Sequence, residues 1–379
     1  MPIGISVIEG SAPAVLGAGV DSIDSIYVVA TSDEETLNLN TPTVISKDTY
    51  LTDYPNLAEI SRASIVAIYE NYPQAKINFV NAGKITGSSA TEKLTSALEE
   101  LGKTGDLELG YLLVPELSTL PNTGGVNERS DIFSKAETVA KGKGWLHFVQ
   151  ISDEALTVED AKKERAVYFS ELGSSAAYYG SVPYTDPNPP IPNPDGSPVF
   201  INAPVAAIAT AIASKATNRE TVNQSPAGIS YPIIATTVNN YVSNDGDLDE
   251  LADNGINVPR LIQPYGYILY GARTLSIDPN FKYINTRQCI SSIAATLRSA
   301  LLPYFAEPID PNGQTTQAVI LDATSIMESA FTSGKLSGNT SADAYTIVQR
   351  PPKDNTIEID IYARFVNTVE QIVVYLFSR

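Results

Sequence analysis

From Ile26 to about Gly180 the chain repeats one pattern, a short apolar run followed by an amphipathic stretch. The runs "SIYVVAT" (25–31), "KINFVNA" (76–82), "LELGYLLVPE" (107–116) and "WLHFVQI" (145–151) have strand length and little alternation, which predicts strands covered on both faces. Between them, 91–102 places Leu94, Ala97, Leu98 and Leu101 at helical spacing and ends on Gly102, a candidate left-handed cap. Further helices are predicted over 130–143 and 157–172, the last opened by Thr157 with Asp160 three positions on. Strand and helix in alternation imply an α/β layer with a largely parallel sheet.

The texture changes at "SVPYTDPNPPIPNPDGSP" (181–198), whose seven prolines remove donors and fix φ, predicting an exposed, semi-extended loop. Beyond it come a helix at "APVAAIATAIASK", a short helix "DLDELADNG" stopped by Gly255, and a helix from Asn285 to about Leu302 with Ile290, Ile293, Ala294, Leu297 and Leu301 on one stripe. The strand "TIEIDIYARF" and the run "EQIVVYLFSR" close the chain. At 379 residues the chain is long for one core, given about 100–200 residues per domain. The expected division is an N-terminal arm and first strand (1–25), an α/β domain ending in the proline loop (26–200), and a C-terminal domain of mixed sheet plus helices (201–379), α+β overall.

Several functions are disfavoured by composition and motif. Forty-three acids against 25 bases give a formal charge of −18, which repels a phosphate backbone and argues against direct nucleic-acid binding. Cys289 is the one cysteine, so no intrachain disulfide or cysteine-rich metal framework forms, and without a neighbouring histidine it reads as a packed thiol. The start "MPIGISVIEG" lacks the basic and apolar regions of a signal peptide, and "APVAAIATAIA" is too short for a span of about 20 residues; a soluble chain with no membrane insertion is expected. The single histidine, His147, lies in an apolar strand, and no G-x-S-x-G elbow supplies a nucleophile. "DGDLDELADNG" (245–255) resembles the start of a calcium loop, but Glu250 stands where glycine is needed and Ile256 where the closing acid belongs. "LGAGV" (16–20) lacks the third glycine of a dinucleotide fingerprint. No catalytic residue, metal or cofactor is expected.

The termini look unfinished. Ile372, Val373, Val374, Tyr375, Leu376 and Phe377 form six apolar positions in a row, and such a strand is buried or it aggregates. At the other end Ile3, Ile5 and Val7 alternate with small residues, and Gly10, Gly17 and Gly19 follow as a pliant tether. Either both strands complete a sheet in their own subunit, or each adds to the sheet of a neighbouring copy by β-augmentation.

The stretch "GARTLSIDPNFKYINTRQCI" (271–290) gathers Arg273, Asp278, Phe281, Lys282, Tyr283 and Arg287 in a chain otherwise sparing of positive charge. It closely resembles the signature of contractile tail sheath proteins of bacteriophages and related contractile injection systems. "NAPVAAIATAIASKATNRETVNQSPAG", "LDELADNGINVPRLI" and "SGKLSGNTSADAYTIV" resemble further family elements in order, with weaker likeness at "PTVISKDTYLTDY" and "LELGYLLVPE"; the opening "MPIGISVIEG" departs from the family pattern. The resemblance implies an inner assembly domain, an outer α/β domain and extended terminal strand arms. It also implies a subunit that polymerises with itself as hexameric rings stacked around an inner tail tube, between baseplate and tail terminator proteins. Such a sheath contracts and drives the tube through an envelope, without nucleotide, as part of a virion tail or of a cellular injection particle. In that setting Arg273, Lys282 and Arg287 pair with carboxylates within or between subunits, or Arg273 and Asp278 simply brace their turn. Pro351 and Pro352, with the N-terminal glycines, are candidate hinges; 315–336 and the start of the 285–302 helix are candidates to face the tube. The alternatives are an α/β hydrolase-like enzyme and a non-contractile shell or adhesin.

Overall fold

A computed structural model describes residues 8–9, 12–13, 22–33, 37–50, 57–84, 90–105, 107–120, 128–152, 155, 157–168, 174–187, 189, 192–219, 221–239, 242, 244–305, 313–351 and 356–367. In chain order, β1 (Ile8–Glu9) and β2 (Ala12–Pro13) pair with each other and precede β3 (Ser25–Ala30), β4 (Thr43–Ile45), α1 (Glu59–Asn71), β5 (Lys76–Asn81) and α2 (Ala90–Lys103). Next come β6 (Gly110–Leu113), α3 (Glu128–Lys143), β7 (Leu146–Gln150), α4 (Val158–Arg165) and β8 (Ser175–Tyr178). The hairpin β9 (Ser181–Thr185) and β10 (Phe200–Pro204) leads into α5 (Val205–Arg219), α6 (Asp245–Asp253), β11 (Ile256–Ile262) and β12 (Gly266–Tyr270). Last are α7 (Ile284–Leu301), α8 (Gln314–Thr332), α9 (Ser341–Ala344), β13 (Tyr345–Gln349) and β14 (Ile359–Ala363).

The frame is an eight-stranded sheet in the order β12-β11-β8-β7-β6-β3-β5-β4. Strands β11, β8, β7, β6, β3 and β5 run parallel, and only the edge strands β12 and β4 are antiparallel. All residues of β3, β6 and β7 are buried, which is why their sequence shows no alternation: α1 and α5 pack together against the sheet, and so do α2 and α3. The four apolar runs thus become the predicted parallel strands.

The chain departs from expectation where packing overrides local signals. Gly102 does not cap α2 but lies inside it, and a Cβ there would sit 3.4 Å from Val139 of α3, so the residue permits close helix contact. The predicted 157–172 helix has the expected cap, Thr157 Oγ1 accepting from the Asp160 N–H at 3.1 Å, but tightens to a 3₁₀ turn at Ala166–Tyr168. The first five residues of the proline segment are strand β9, paired with β10, and Ser181, Val182 and Tyr184 are buried. Its connecting loop is tied down where Asp186 takes a bidentate pair from Arg62 of α1, at 3.0 and 2.8 Å. Strand pairing also crosses residue 200, since β11 joins β8 in the main sheet.

Helix α7 belongs to two cores. Ile284, Cys289 and Ala295 pack into the α/β interior, while Ile293 and Leu297 form a smaller core with Ala323, Met327 and Ala330 of α8. The predicted apolar stripe is right at Ile293, Ala294 and Leu297, but Asn285, Gln288, Ser291 and Ser292 on other faces are buried as well.

Candidate assembly surface

The small core carries a two-stranded ribbon. Strands β13 and β14 pair antiparallel, Tyr345 opposite Ala363 through Gln349 opposite Ile359. The Arg350 N–H donates to the Glu358 carbonyl and the Arg364 N–H to the Ala344 carbonyl, each at 2.9 Å, which sets the phase of the ladder. Because facing groups alternate along an antiparallel strand, the N–H and C=O groups of Tyr345, Ile347 and Gln349 point to one outer edge, and those of Ile359, Ile361 and Ala363 to the other. Among the described residues no strand pairs with either edge.

A lone two-stranded ribbon is marginal in water, and this one is held by its apolar face. Tyr345, Ile347, Ile359, Ile361, Ala363 and Phe365 pack on the α7–α8 core. The opposite face carries Arg350, whose Nε donates to Asp360 at 2.7 Å and whose Nη1 lies 3.5 Å from Glu358, beside exposed Val348 and Tyr362. Pro351 lies in the connection between these two strands, and Pro352 is outside the described residues. Pro351 thus stands between two strands that pair with each other. Ile3, Ile5, Val7, Gly10, Gly17, Gly19 and Ile372 through Phe377 also lie outside the described residues.

The 271–290 signature is a buckle. Gly271 has φ +96°, and a Cβ there would meet Asn257 Oδ1 at 2.8 Å. That amide instead accepts from the Arg273 N–H at 2.9 Å and donates to the Arg273 carbonyl at 2.8 Å. The Thr274 N–H donates to the Lys282 carbonyl at 2.8 Å, Thr274 Oγ1 donates to the Phe281 carbonyl at 2.6 Å, and the Leu275 N–H reaches the Ser175 carbonyl at the start of β8. Arg273 does not pair with Asp278. Its Nη1 donates to the Ala252 carbonyl at 2.5 Å and lies 3.5 Å from Asp253, where a cation suits the C-terminal end of α6. Asp278 caps the turn at Pro279–Phe281 by accepting from the Asn280 N–H. Lys282 sits 5.2 Å from the Tyr283 ring, and buried Arg287 lies 6.0 Å from that of Phe281.

Of the two helices considered for contact with an inner tube, the start of α7 is buried in its own chain, whereas α8 leaves Leu321 at 66% exposure on a surface with Gln314, Gln317 and Ser325.

No arrangement of catalytic groups emerges among the described residues. The nearest approach is Ser175, whose hydroxyl donates to Glu137 and lies 3.3 Å from His147 Nδ1. Serine stands between acid and histidine, the reverse of a triad, in which histidine links the other two. Ser175 and His147 are both fully buried, and burial pushes the imidazole down to about 3. Burial likewise pushes the Cys289 thiol up to about 12, as expected of a packed thiol. No group of three or more metal-ligating side chains occurs among the described residues, and no described helix is long and apolar enough to cross a membrane.

No protein-family model and no curated protein matches the chain. Solved structures do. The chain is similar, at 17% identity and a TM-score of 0.71, to a chain of the sheath complex of the extracellular contractile injection system PVC in its contracted state, covering 100% of this chain and 97% of that one. It is equally similar, at 17% and 0.71, to the contracted helical sheath of the anti-feeding prophage, over 99% and 98% of the two chains. A sheath tail protein from Listeria innocua matches at 10% identity and a TM-score of 0.58, over 92% and 96%. The chain therefore has the contractile-sheath fold along essentially its whole length.

Proposed function

We propose that this chain is the repeating, non-enzymatic subunit of a contractile sheath, and that copies are joined by strands added to the outer edges of the β13–β14 ribbon. The observation that carries this reading is the ribbon itself: two strands held on one face by their own core, with both backbone edges unpaired among the described residues. The apolar alternation of Ile3, Ile5 and Val7 and the run Ile372 to Phe377 supply strands of the right length to fill those edges. Each backbone hydrogen bond so formed contributes about 0.5–1.5 kcal/mol, and a few per strand link neighbours while leaving their angle free to change. Two of the similar structures are described as contracted, which fits a polymer that shortens by rotating rigid subunits.

In this reading the partners are further copies, an inner tube reached by the exposed face of α8, and baseplate and terminator proteins at the ends. The particle is a virion tail or an injection system.

The test is Ala363→Pro. Its N–H faces the outer edge, so proline removes no bond of the β13–β14 ladder but blocks an added strand. The variant is expected to stay folded by circular dichroism and to lose assembly in sedimentation. A variant that assembles like the parent would contradict augmentation at that edge.

A further inference from the structure

Neighbouring strands β3 and β6 send their connections in opposite directions. The chain leaves β3 through the edge strand β4 and α1 to β5 on one side, and leaves β6 through α3 to β7 on the other. In open parallel sheets the crevice outside the carboxyl ends at such a point ordinarily receives a ligand. Here the 3₁₀ turn Pro115–Ser118 fills it, packed against β3, β7, α1 and α3. From that turn Glu116 reaches across the seam: its Oε1 accepts from the Thr31 N–H at 2.6 Å and from Thr31 Oγ1 at 3.0 Å. The other oxygen, Oε2, is buried without a hydrogen-bond partner, and the residue is only 6% exposed.

We propose that Glu116 is a proton-operated clasp at the carboxyl edge of the sheet, closed when Oε2 carries a proton and loosened when the proton leaves. The two oxygens divide the work. Protonation at Oε2 leaves Oε1 as an acceptor, so both bonds to Thr31 survive while the buried charge disappears. Deprotonation keeps the bonds but leaves a carboxylate in an apolar seam, where desolvation penalises it. Burial accordingly pushes this carboxyl up from 4.5 to about 7, against the lowering effect of the hydrogen bonds from Thr31 and the backbone.

The charged groups on the surrounding elements are engaged elsewhere or face water. Helices antiparallel to the strands place their first turns at this edge. On α1, Glu59 is exposed and Arg62 is held by Asp186 and the Leu57 carbonyl. On α3, Glu128 accepts from Thr91, Arg129 pairs with Glu164 and Ser152, and Asp131 is exposed. On β7, His147 contacts Ser175, and on β3, Tyr27 donates to the Glu108 carbonyl at the opposite end of the strand. None of these is among the causes of the rise in the Glu116 pKa.

The sign follows from proton linkage. The closed state holds the Glu116 proton up to about pH 7, whereas an opened, hydrated carboxyl releases it near 4.5. Closure therefore weakens as pH rises through that window and levels off above it.

Hydrogen exchange on the full chain, corrected for intrinsic rates, tests this at the amides of 31–33, 114 and 116–120. Between about pH 6 and about pH 8.5 their opening equilibrium is expected to rise on the order of tenfold, and this rise is expected to vanish in Glu116→Gln. Opening that does not respond to pH in the parent, or that responds equally in the glutamine variant, would overturn the proposal. A carbon-13 carboxyl titration of the parent chain provides a reading without mutation. A glutamate titrating near neutrality supports the clasp, and titration of every glutamate below about pH 5 refutes it. Neither measurement depends on how copies assemble.

Discussion

Gln288 of α7 and Tyr111 of β6 join side chains at 2.7 Å across 177 positions of sequence, in a seam closed to water. With its Oε1 accepting from the tyrosine hydroxyl, the amide donates to the carbonyls of Gln224 at 3.1 Å and Val222 at 3.2 Å. One polar side chain thus ties the helix that supports the ribbon to the centre of the parallel sheet.

Gln288→Ala is expected to destabilise the chain by about 1–3 kcal/mol, because it removes a buried amide that serves the Tyr111 hydroxyl and the carbonyls of Val222 and Gln224. Tyr111→Phe, which removes only one partner, is expected to cost less. Urea unfolding midpoints of the two variants and the parent check both the size and the order.

The buckle at 271–290 predicts a contrast between two glycines. Gly271→Ala must strain a backbone at φ +96° and also push into Asn257, whereas Gly266, at φ +83°, has open space where its Cβ would go. Alanine at 271 is expected to cost at least about 1 kcal/mol more than alanine at 266. Thermal melts of the two single variants measure the difference.

Breaking the buried Arg62–Asp186 pair from one side leaves the other charge stranded, so Asp186→Asn is expected to lower stability by about 3–5 kcal/mol. Replacing both members with apolar residues is expected to cost clearly less than the sum of the single changes. A double-mutant cycle in urea reads this coupling directly.

His147 gives a pH signature of opposite sense to that of Glu116. Its imidazole is held neutral in the fold, at about 3 against an ordinary 6.5, so unfolding takes up a proton below about pH 6.5. The parent should therefore lose about 2 kcal/mol between about pH 7 and about pH 5 that His147→Phe does not lose. Denaturation midpoints for parent and variant at the two pH values check it; equal losses would mean that the ring is solvated in the native chain.

How much of this was legible follows the range of the interactions. Strands such as 25–30 and 146–150 could be read because burial on both faces leaves a continuous apolar run in the sequence. The cap at Thr157 could be read because both partners lie within one turn. The likeness of the 271–290 segment to a sheath signature was also visible, but not what its side chains do: Arg273 finds the end of α6, some 21 positions away, instead of nearby Asp278. The buried polar face of α7 was hidden for the same reason, since Gln288 and Asn285 look like surface residues until Tyr111, Val222 and Val366 come to meet them. Glu116 carries no local mark at all. Its setting is created by the order of strands in the sheet.

The central claim is that terminal strands join copies of this chain into a tube. Negative-stain electron microscopy of the full chain at neutral pH, beside a chain truncated before Gln371, tests it most directly. The account predicts long hollow tubes from the full chain and none from the truncated one. Tubes of equal length and number from both would contradict it.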